Sequence, residues 1–124
     1  MEIITNKGKL NLKNLTPHSI DVLNGRDEVV FTLSANNNPP RVQENIHGQE
    51  EYLINGGQRL NIYTAYNEDT DTLPTKKEGV YYIVSRIIAE QYVERDDLLV
   101  PHEFVRDEDG NIIGARSFKK IKRR

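Results

Sequence analysis

Apolar and polar residues alternate along much of the chain, a pattern that predicts a protein built mainly from β-hairpins. The first two such runs, 19–23 and 28–33, are joined by four residues that begin with Asn24-Gly25. Because Asn and Gly both tolerate positive φ, this step is a strong signal for a hairpin turn. We therefore expect a first hairpin here, followed by a loop over the Asn- and Pro-rich residues 36–40.

The middle of the chain predicts a short strand that begins at Arg41 and then a second hairpin, which joins 51–54 to 59–66 through an Asn-Gly-Gly turn. Leu60 and Ile62 are two residues apart, so they share one face, as in a half-buried strand. The polar stretch that follows, up to residue 79, is expected to form a long exposed loop.

The second half of the chain predicts a strand, a helix and a third hairpin. Residues 80–84 are rich in Val, Ile and Tyr, and Ser85 then offers an N-cap for a short helix over 86–92. The third hairpin joins 104–106 to 111–118. With no repeat or boundary visible, the pattern predicts a single domain over the whole chain, mainly β, with a β-core of hairpins and one short α-helix in its C-terminal half.

Composition and charge narrow the function classes. Seventeen Lys and Arg face nineteen Asp and Glu, a net charge of -2, so a binder of duplex nucleic acid is not expected. The absence of cysteine excludes disulfides and thiolate metal sites. No apolar run approaches the ~20 residues of a membrane span, and the N-terminus lacks a signal-peptide core, which favours a soluble, cytoplasmic protein with no membrane partner. We interpret the basic residues 119–124 as a frayed tail, with a patch for an anionic ligand as the alternative.

Residues that usually carry catalysis or bind metals are sparse. No two of His18, His47 and His102 are three or four residues apart, and the glycine-rich phosphate loops are absent. We therefore expect no catalytic residue, no cofactor and no metal, with a metal site assembled in space from the three histidines as the alternative.

Arginine and aromatic residues offer the chemistry of nucleotide binding. An arginine can make two parallel hydrogen bonds to a phosphate, and an aromatic ring can stack on a base. Six arginines lie singly beside predicted strands: Arg41, Arg59, Arg86, Arg95, Arg106 and Arg116. The alternative for each is an ordinary surface ion pair, because the chain has many acidic residues.

Two stretches of the chain carry a family resemblance. They are NLTPHSI at 14–20 and a longer stretch with GVYYIVS at 79–85, Arg95-Asp96, Pro101 and VRDEDGNIIG at 105–114. In this order they resemble small phage and prophage proteins of the "LTPH" type and, within that group, the first described family of Thoeris anti-defence proteins.

The resemblance implies a molecular sponge. Such proteins bind the cyclic ADP-ribose isomers made by bacterial TIR-domain proteins without degrading them, and so keep the signal from its effector. Some relatives are implied to bind cyclic oligonucleotides at a separate site. The implied fold is a β-core with a helical element, assembled as homodimers or higher homo-oligomers with pockets at subunit junctions.

Arginine chemistry and the resemblance together select the candidate ligand-binding residues: Arg41, Tyr66, Tyr82, Arg95, Arg106, Asp107 and Arg116. Arg106 is the leading candidate to clamp a pyrophosphate, because it lies in the longest motif where a strand enters a turn. Tyr81 and Tyr82 point to opposite faces of one strand, so one of them packs inward, and the sequence leaves open which. Ala115 stands where relatives often have Cys, so no thiol role is carried over.

Two other functions compete with the sponge. A phosphodiesterase that degrades the same signal would need an acid–base pair or a metal, for which His18 and His102 are the sequence support. A structural or interaction module of a virion would bind no small molecule.

Overall fold

The computed structural model describes residues 1–68 and 73–124, and the fold is mainly β with a short helix in the C-terminal half, as predicted. The elements are β1 (Glu2–Thr5), β2 (Gly8–Asn14), β3 (Ile20–Leu23), β4 (Val29–Leu33), β5 (Gln43–Ile54), β6 (Gln58–Glu68), β7 (Val80–Ile83), α1 (Arg86–Gln91), β8 (Leu98–Arg106) and β9 (Ile112–Lys119). Within the described residues, seven strands form a curled sheet in the order β1-β2-β7-β8-β9-β3-β4, and β5 and β6 pair only with each other.

The sheet combines antiparallel hairpins with parallel neighbours. The pairs β2–β7, β7–β8 and β3–β9 are parallel, whereas β1–β2, β3–β4 and β8–β9 are antiparallel. The curl brings the end of β2 to the end of β4, where Asn14 Nδ2 donates a hydrogen bond to the Ser34 carbonyl over 3.1 Å. These strands are far apart in the sheet order, so this contact helps to hold the sheet in its curled shape.

Buried apolar side chains pack on both faces of β7. Tyr82 and Ile83 are adjacent along the strand, so they point to opposite faces. Tyr82 packs beneath α1 in a first cluster with Val84, Ile88, Ala89, Leu98 and Val100. Ile83 packs in a second cluster with Leu12, Val22 and Leu33, which come from β2, β3 and β4. The central strand β7 therefore joins the helix side of the core to the inside of the curl.

The first and third predicted hairpins are confirmed, with differences in detail. Strand β8 begins at Leu98 rather than at 104, and Gly110 in the third turn has a positive φ of 82°. In the first turn the positive φ falls on Asp27 (61°) rather than on Asn24 or Gly25. The reason is that Asn24 Oδ1 accepts two backbone N–H groups of the turn, at 2.9 and 3.0 Å, and so shapes the turn through its side chain.

The second hairpin is confirmed, but it is longer and more exposed than expected. The short strand at Arg41 is wrong: β5 begins at Gln43 and runs on to the hairpin turn. Leu60 and Ile62 are 47% and 51% exposed, so the expectation of a half-buried strand is also wrong. A period of two shows that side chains share a face, and it does not show that anything covers that face.

Three further segments complete the comparison with the sequence. Ser85 caps α1 as predicted, accepting the backbone N–H of Ile88 at 3.4 Å, and the helix ends one residue earlier than expected. The loop expected after residue 66 overlaps the end of β6 at residues 67 and 68. Its residues 69–72 lie outside the described residues, and 73–79 are irregular as predicted. The hairpin of β1 and β2 was not predicted, because Lys7 separates its turn-forming Asn and Gly. Among the described residues no helix is long and apolar enough to cross a membrane.

The C-terminal tail is held against the body of the protein, so the expectation of fraying is wrong for most of it. Lys119 is the last residue of β9, and Ile121 packs against the first cluster. Lys122 Nζ donates to the carbonyl oxygens of residues 93 and 95 and to Asp96 Oδ1, at 2.6–3.1 Å. The hydrogen bond from Lys122 lowers the pKa of Asp96 below its ordinary value. Lys120 Nζ lies 5.5 Å from the ring centroid of Tyr81, on a cation–π contact.

Gly114 allows β3 and β9 to lie side by side. A Cβ atom at this position would stand 2.6 Å from the Asp21 carbonyl oxygen and 3.0 Å from a Leu23 side-chain carbon. The first of these is a backbone atom, so relief requires β3 to move rather than a side chain to rotate. The pairing of β3 with β9 is a single bridge, between Val22 and Ala115. This bridge is next to Gly114 and Asp21 in the sequence, so a side chain at position 114 would push directly on the paired residues.

We expect Gly114→Ala to lower the free energy of unfolding by about 1–3 kcal/mol, because the added methyl group overpacks the β3–β9 contact. Gly25→Ala is the matched control, since a Cβ there meets nothing within 4 Å and its φ is not in the left-handed region. It should change the unfolding free energy by no more than about 0.5 kcal/mol. Urea titrations of both variants test this, and equal losses would contradict the role given to Gly114.

Candidate functional site

Parts of three of the stretches that carry the family resemblance come together, with Pro101, at a groove with a volume of about 740 Å³: 16–20, 84–85 and 112–114. We call it the motif groove; it is lined by residues 16–21, 84–86, 112–115, Val100, Pro101, Phe104 and Lys119. Its walls come from the loop between β2 and β3, the start of α1, and the β8–β9 hairpin. Its volume falls within the roughly 300–1,000 Å³ that is usual for small-molecule sites.

Asn14 and Thr16 hold the loop that forms one wall of the motif groove. Asn14 Oδ1 accepts hydrogen bonds from the backbone N–H and the hydroxyl of Thr16, at 3.0 and 2.7 Å. Asn14 Nδ2 donates to the His18 carbonyl at 2.8 Å as well as to the carbonyl of Ser34, the residue after β4. On the far side, the Asn36 N–H donates to the Thr16 carbonyl at 2.8 Å. The loop therefore keeps a defined shape without regular secondary structure, because its polar groups are satisfied by these bonds.

The chemistry of the motif groove is apolar with positive charge at its edge. Phe104 and Ile112 line it and are each 51% exposed, so each presents apolar surface to a ligand. Arg86 and Lys119 are the basic residues of its lining, and Asp21 is the acidic one. Arg86 pairs with Glu90 over 2.7 Å on the exposed side of α1, a contact that solvent screens.

A smaller pocket of about 280 Å³ adjoins the motif groove and shares Thr16, Pro17 and Ser85 with it. Arg41 lines this pocket together with two prolines of the preceding loop. Of the residues selected from the sequence, Arg41 is therefore brought next to the groove. The expectation about Arg41 as a strand residue was wrong, but its candidacy as a ligand residue remains a prediction.

Arg106 and Asp107 stand where β8 enters its turn. Arg106 is paired with Ile112, which lines the motif groove, so Arg106 lies at the turn end of that groove. Its Nη1 donates to the Gly110 carbonyl at 2.8 Å rather than to an acid. Asp107 Oδ1 accepts two backbone N–H groups of the turn, at 2.9 and 3.0 Å, which makes it a turn-forming residue.

Glu103 interrupts β8 just before Phe104. Its φ of 55° is left-handed, a conformation that costs a non-glycine residue of order 1 kcal/mol or more. The ladder accordingly pairs His102 with Ser117 and Phe104 with Ala115 but records no pair for Glu103. The Ser117 hydroxyl donates to Glu103 Oε1 at 2.7 Å, which helps to hold this backbone beside the groove.

The tyrosine left open by the sequence is resolved, since Tyr82 is the one that packs inward. Its side chain is 1% exposed, and its hydroxyl lies 3.3 Å from the Thr75 carbonyl. The candidacy of Tyr82 as a stacking residue is therefore corrected, because its ring is enclosed by the first cluster. Tyr81 points to the other face, where Lys120 lies over its ring.

Arg95 is engaged in an ion pair with a buried carboxylate. Its Nε and Nη2 each donate to Asp97 at 2.7 Å, and Nη2 also donates to the Pro74 carbonyl at 2.9 Å. Asp97 is 2% exposed. The hydrogen bonds from Arg95 lower the pKa of Asp97, although burial opposes this, and those with Asp97 raise the pKa of Arg95. In this arrangement Arg95 joins the 73–79 loop to the start of β8.

The two remaining candidates lie apart from the motif groove. Arg116 donates through Nε to Asp27 Oδ1 at 2.9 Å, tying β9 to the first hairpin turn. Tyr66 lies on β6 and is 57% exposed, with its ring edge-on to His47 at 5.6 Å. The structure thus distributes the seven candidates over several places; Arg41 lines the pocket that adjoins the groove, and Arg106 lies at the turn end of the groove.

Several groove residues were not among the selected candidates. His18, Arg86, Phe104 and Lys119 line the motif groove, although only the first two had been considered. The signal that could have found them is the position of the motifs themselves, since His18, Arg86 and Phe104 lie within or beside the quoted stretches. Over residues 1–68 and 73–124, no cluster of three or more His, Cys, Asp or Glu side chains could hold a metal ion.

Comparisons with protein-family models, with curated proteins and with solved structures found no match for this chain.

The ion pair of Asp97 makes stability depend on pH in a defined direction. Because the folded pKa of Asp97 is depressed, its contribution is present above the unfolded value of about 3.9 and is lost as pH falls through the lower folded value. At pH 7 we expect Asp97→Asn to be less stable than the wild type by roughly 1.5–3 kcal/mol. The difference should shrink below about pH 4.

Asp96→Asn is the matched control for this experiment, since Asp96 is adjacent and ion-paired but exposed. Its substitution should cost clearly less at pH 7. Denaturant unfolding at pH 7, 5 and 3 measures both variants. A gap between wild type and Asp97→Asn that stays constant across this range would show that the ion pair is not its source.

Proposed function

We propose that this protein is a sponge that binds a TIR-derived cyclic ADP-ribose isomer in the motif groove and does not degrade it. The observation that carries the proposal is that parts of the stretches on which the family resemblance rests, far apart in sequence, line the same groove: 16–20, 84–85, Pro101 and 112–114. The proposal places the protein in the cytoplasm of a phage-infected bacterium, and a second site for cyclic oligonucleotides belongs to the same proposal.

The chemistry of the groove supports such a ligand. A cyclic ADP-ribose isomer offers an adenine, two riboses and a doubly charged pyrophosphate. Phe104 and Ile112 provide apolar surface against which a base can lie, and the hydroxyls of Ser19 and Ser85 can bond ribose. Arg86 provides a fork for the pyrophosphate.

Basic residues in and around the groove also favour an anion. Arg41 lies in the adjoining pocket and Arg106 at the turn end, with Lys119 in the groove itself. A sponge requires affinity for the ground state of its ligand and no selectivity for a transition state. The apolar walls and these cations can supply affinity without a general base.

A phosphodiesterase is the second candidate, favoured by His18, Ser19 and Asp21 lying in the same groove. The state of the ligand distinguishes the two functions. The protein is incubated with a panel of cyclic ADP-ribose isomers, denatured by heat, and the released nucleotide is examined by chromatography. Intact ligand supports the sponge, whereas steady conversion to a linear product supports the enzyme.

We expect Arg86→Ala and Arg106→Ala each to weaken binding by roughly 10- to 100-fold, because each removes a charged hydrogen-bond donor from one end of the groove. Isothermal titration calorimetry with the tightest isomer of the panel measures this. Arg86→Lys should recover part of the loss, since an ammonium cannot reproduce the fork.

Arg59→Ala is the matched control, since Arg59 also forms an exposed ion pair, with Glu51 at 3.1 Å, but lies on the β5–β6 hairpin. It should bind like the wild type, and all three alanine variants should melt near the wild-type temperature. Wild-type affinity in both Arg86→Ala and Arg106→Ala would place the ligand elsewhere than in the motif groove.

A further inference from the structure

The smaller pocket beside the motif groove, which we call the arginine pocket, has a positive charge and no negative one in its lining. Residues 15–17, 39–42, Ser85 and Ile87 form it, and Arg41 is the one charged residue among these, counted over the described part of the chain. Most of the other lining residues are apolar. Apolar walls focus the field of such a charge, so the pocket favours an anion.

Arg41 differs from the other arginines singled out in the sequence because its side chain has no polar partner. Over residues 1–68 and 73–124, its guanidinium makes no hydrogen bond and no ion pair. Each of the other five has a polar partner: Arg59, Arg86, Arg95, Arg106 and Arg116. The donors of an arginine form a fork that matches a phosphate group, and at Arg41 the whole fork is available to a ligand.

The backbone on both sides of Arg41 is held in place, although its side chain is exposed. Pro40 is buried, and its ring fixes its φ angle. Val42 packs against the first cluster. Upstream, the Asn36 N–H donates to the carbonyl of Thr16 in the other wall of the pocket, at 2.8 Å. The fold therefore sets the position of the Arg41 backbone before any ligand binds.

Ser85 connects the arginine pocket with the motif groove, because it lines both. Its Oγ accepts the Ile88 N–H at 3.4 Å, and its hydroxyl proton makes no hydrogen bond within the described ranges. Thr16 also lines both cavities, but its hydroxyl already donates to Asn14 Oδ1 at 2.7 Å. A ribose bound beside Ser85 in the groove would therefore lie where the two cavities meet, next to an unused donor.

We propose that the arginine pocket is a subsite for a phosphate monoester on the ribose of the bound nucleotide, with Arg41 as its main partner and the Ser85 hydroxyl as a second donor. The ligand class is then an adenosine nucleotide that carries a 2′-phosphate in addition to its pyrophosphate. Arginine is a usual partner of the adenosine 2′-phosphate in dinucleotide-binding proteins. The placement of the ribose rests on the proposed function, whereas the anion site itself does not.

The anion site is tested without a nucleotide, with inorganic phosphate as the probe. Millimolar phosphate should shift the backbone amide NMR signals of Val42 and Ser85 in the wild type, and chloride at the same ionic strength should not. Arg41→Ala should abolish these shifts, because it removes the fork that holds the anion. Signals that stay in place with phosphate, or that move equally in Arg41→Ala, overturn the inference whatever the motif groove binds.

Matched pairs of ligands test the connection to the motif groove. The pairs are cyclic ADP-ribose and ADP-ribose, each with and without a phosphate on the 2′-hydroxyl of the adenosine ribose. In calorimetry the wild type should bind the phosphorylated member at least about 10-fold more tightly, because only that member reaches Arg41. Arg41→Ala should remove this preference and leave the affinity for the unphosphorylated member within about 3-fold of the wild type.

Arg26→Ala is the matched control, since Arg26 is also exposed and its side chain has no partner among the described residues, but it lines neither cavity. It should keep the wild-type preference. A preference that survives Arg41→Ala overturns the inference, because the phosphate would then bind elsewhere. So does equal affinity within each pair, or no binding of either member. Release of an intact isomer, which tests the sponge, does not depend on these results, so the two proposals fail separately.

Discussion

The hydrogen bonds of the Asn14 side chain join the end of β2 to the loop that follows it and to the end of β4, which lies at the far edge of the sheet order. Its amide group reaches the end of β4, and its carbonyl oxygen holds Thr16 in the loop that follows β2. Removing a partner from either end of the side chain would cost about 1–3 kcal/mol, because a partly buried polar group would be left without a hydrogen bond. The first wall of the motif groove is held by these bonds together with the one from the Asn36 N–H to the Thr16 carbonyl.

The second wall depends on close packing rather than on hydrogen bonds. Gly114 lets β3 lie against β9, and the left-handed backbone at Glu103 precedes Phe104 on the paired strand. Both features are local departures from a regular hairpin, and both occur beside the groove. Irregular backbone of this kind is concentrated at functional sites, where it aims particular side chains, and it is consistent with the use of this groove as a binding site.

Local patterns in the sequence were sufficient for most of the strands, because hairpin turns and strand alternation are short-range features. Ser85 as a helix cap and the third hairpin are confirmed for that reason. Predicting the residues of the site required information that local patterns do not contain. Whether an arginine faces a groove, as Arg86 does, or meets a buried acid, as Arg95 does, depends on residues far along the chain. The same reason applies to Leu60: the sequence showed which face of the strand it shares with Ile62, and it could not show whether other residues cover that face.

The electrostatic potential in the groove depends on the charged residues near it more than on the net charge of -2. Acidic residues are used to hold arginines in the structure, as Asp97 holds Arg95 and Asp27 holds Arg116. The docked tail adds cationic groups next to the sheet, and its first residue, Lys119, lines the groove. Lys119 is held there by its pairing with Val100 in the β8–β9 ladder, so positive charge stays beside an apolar surface in a protein whose overall charge is negative.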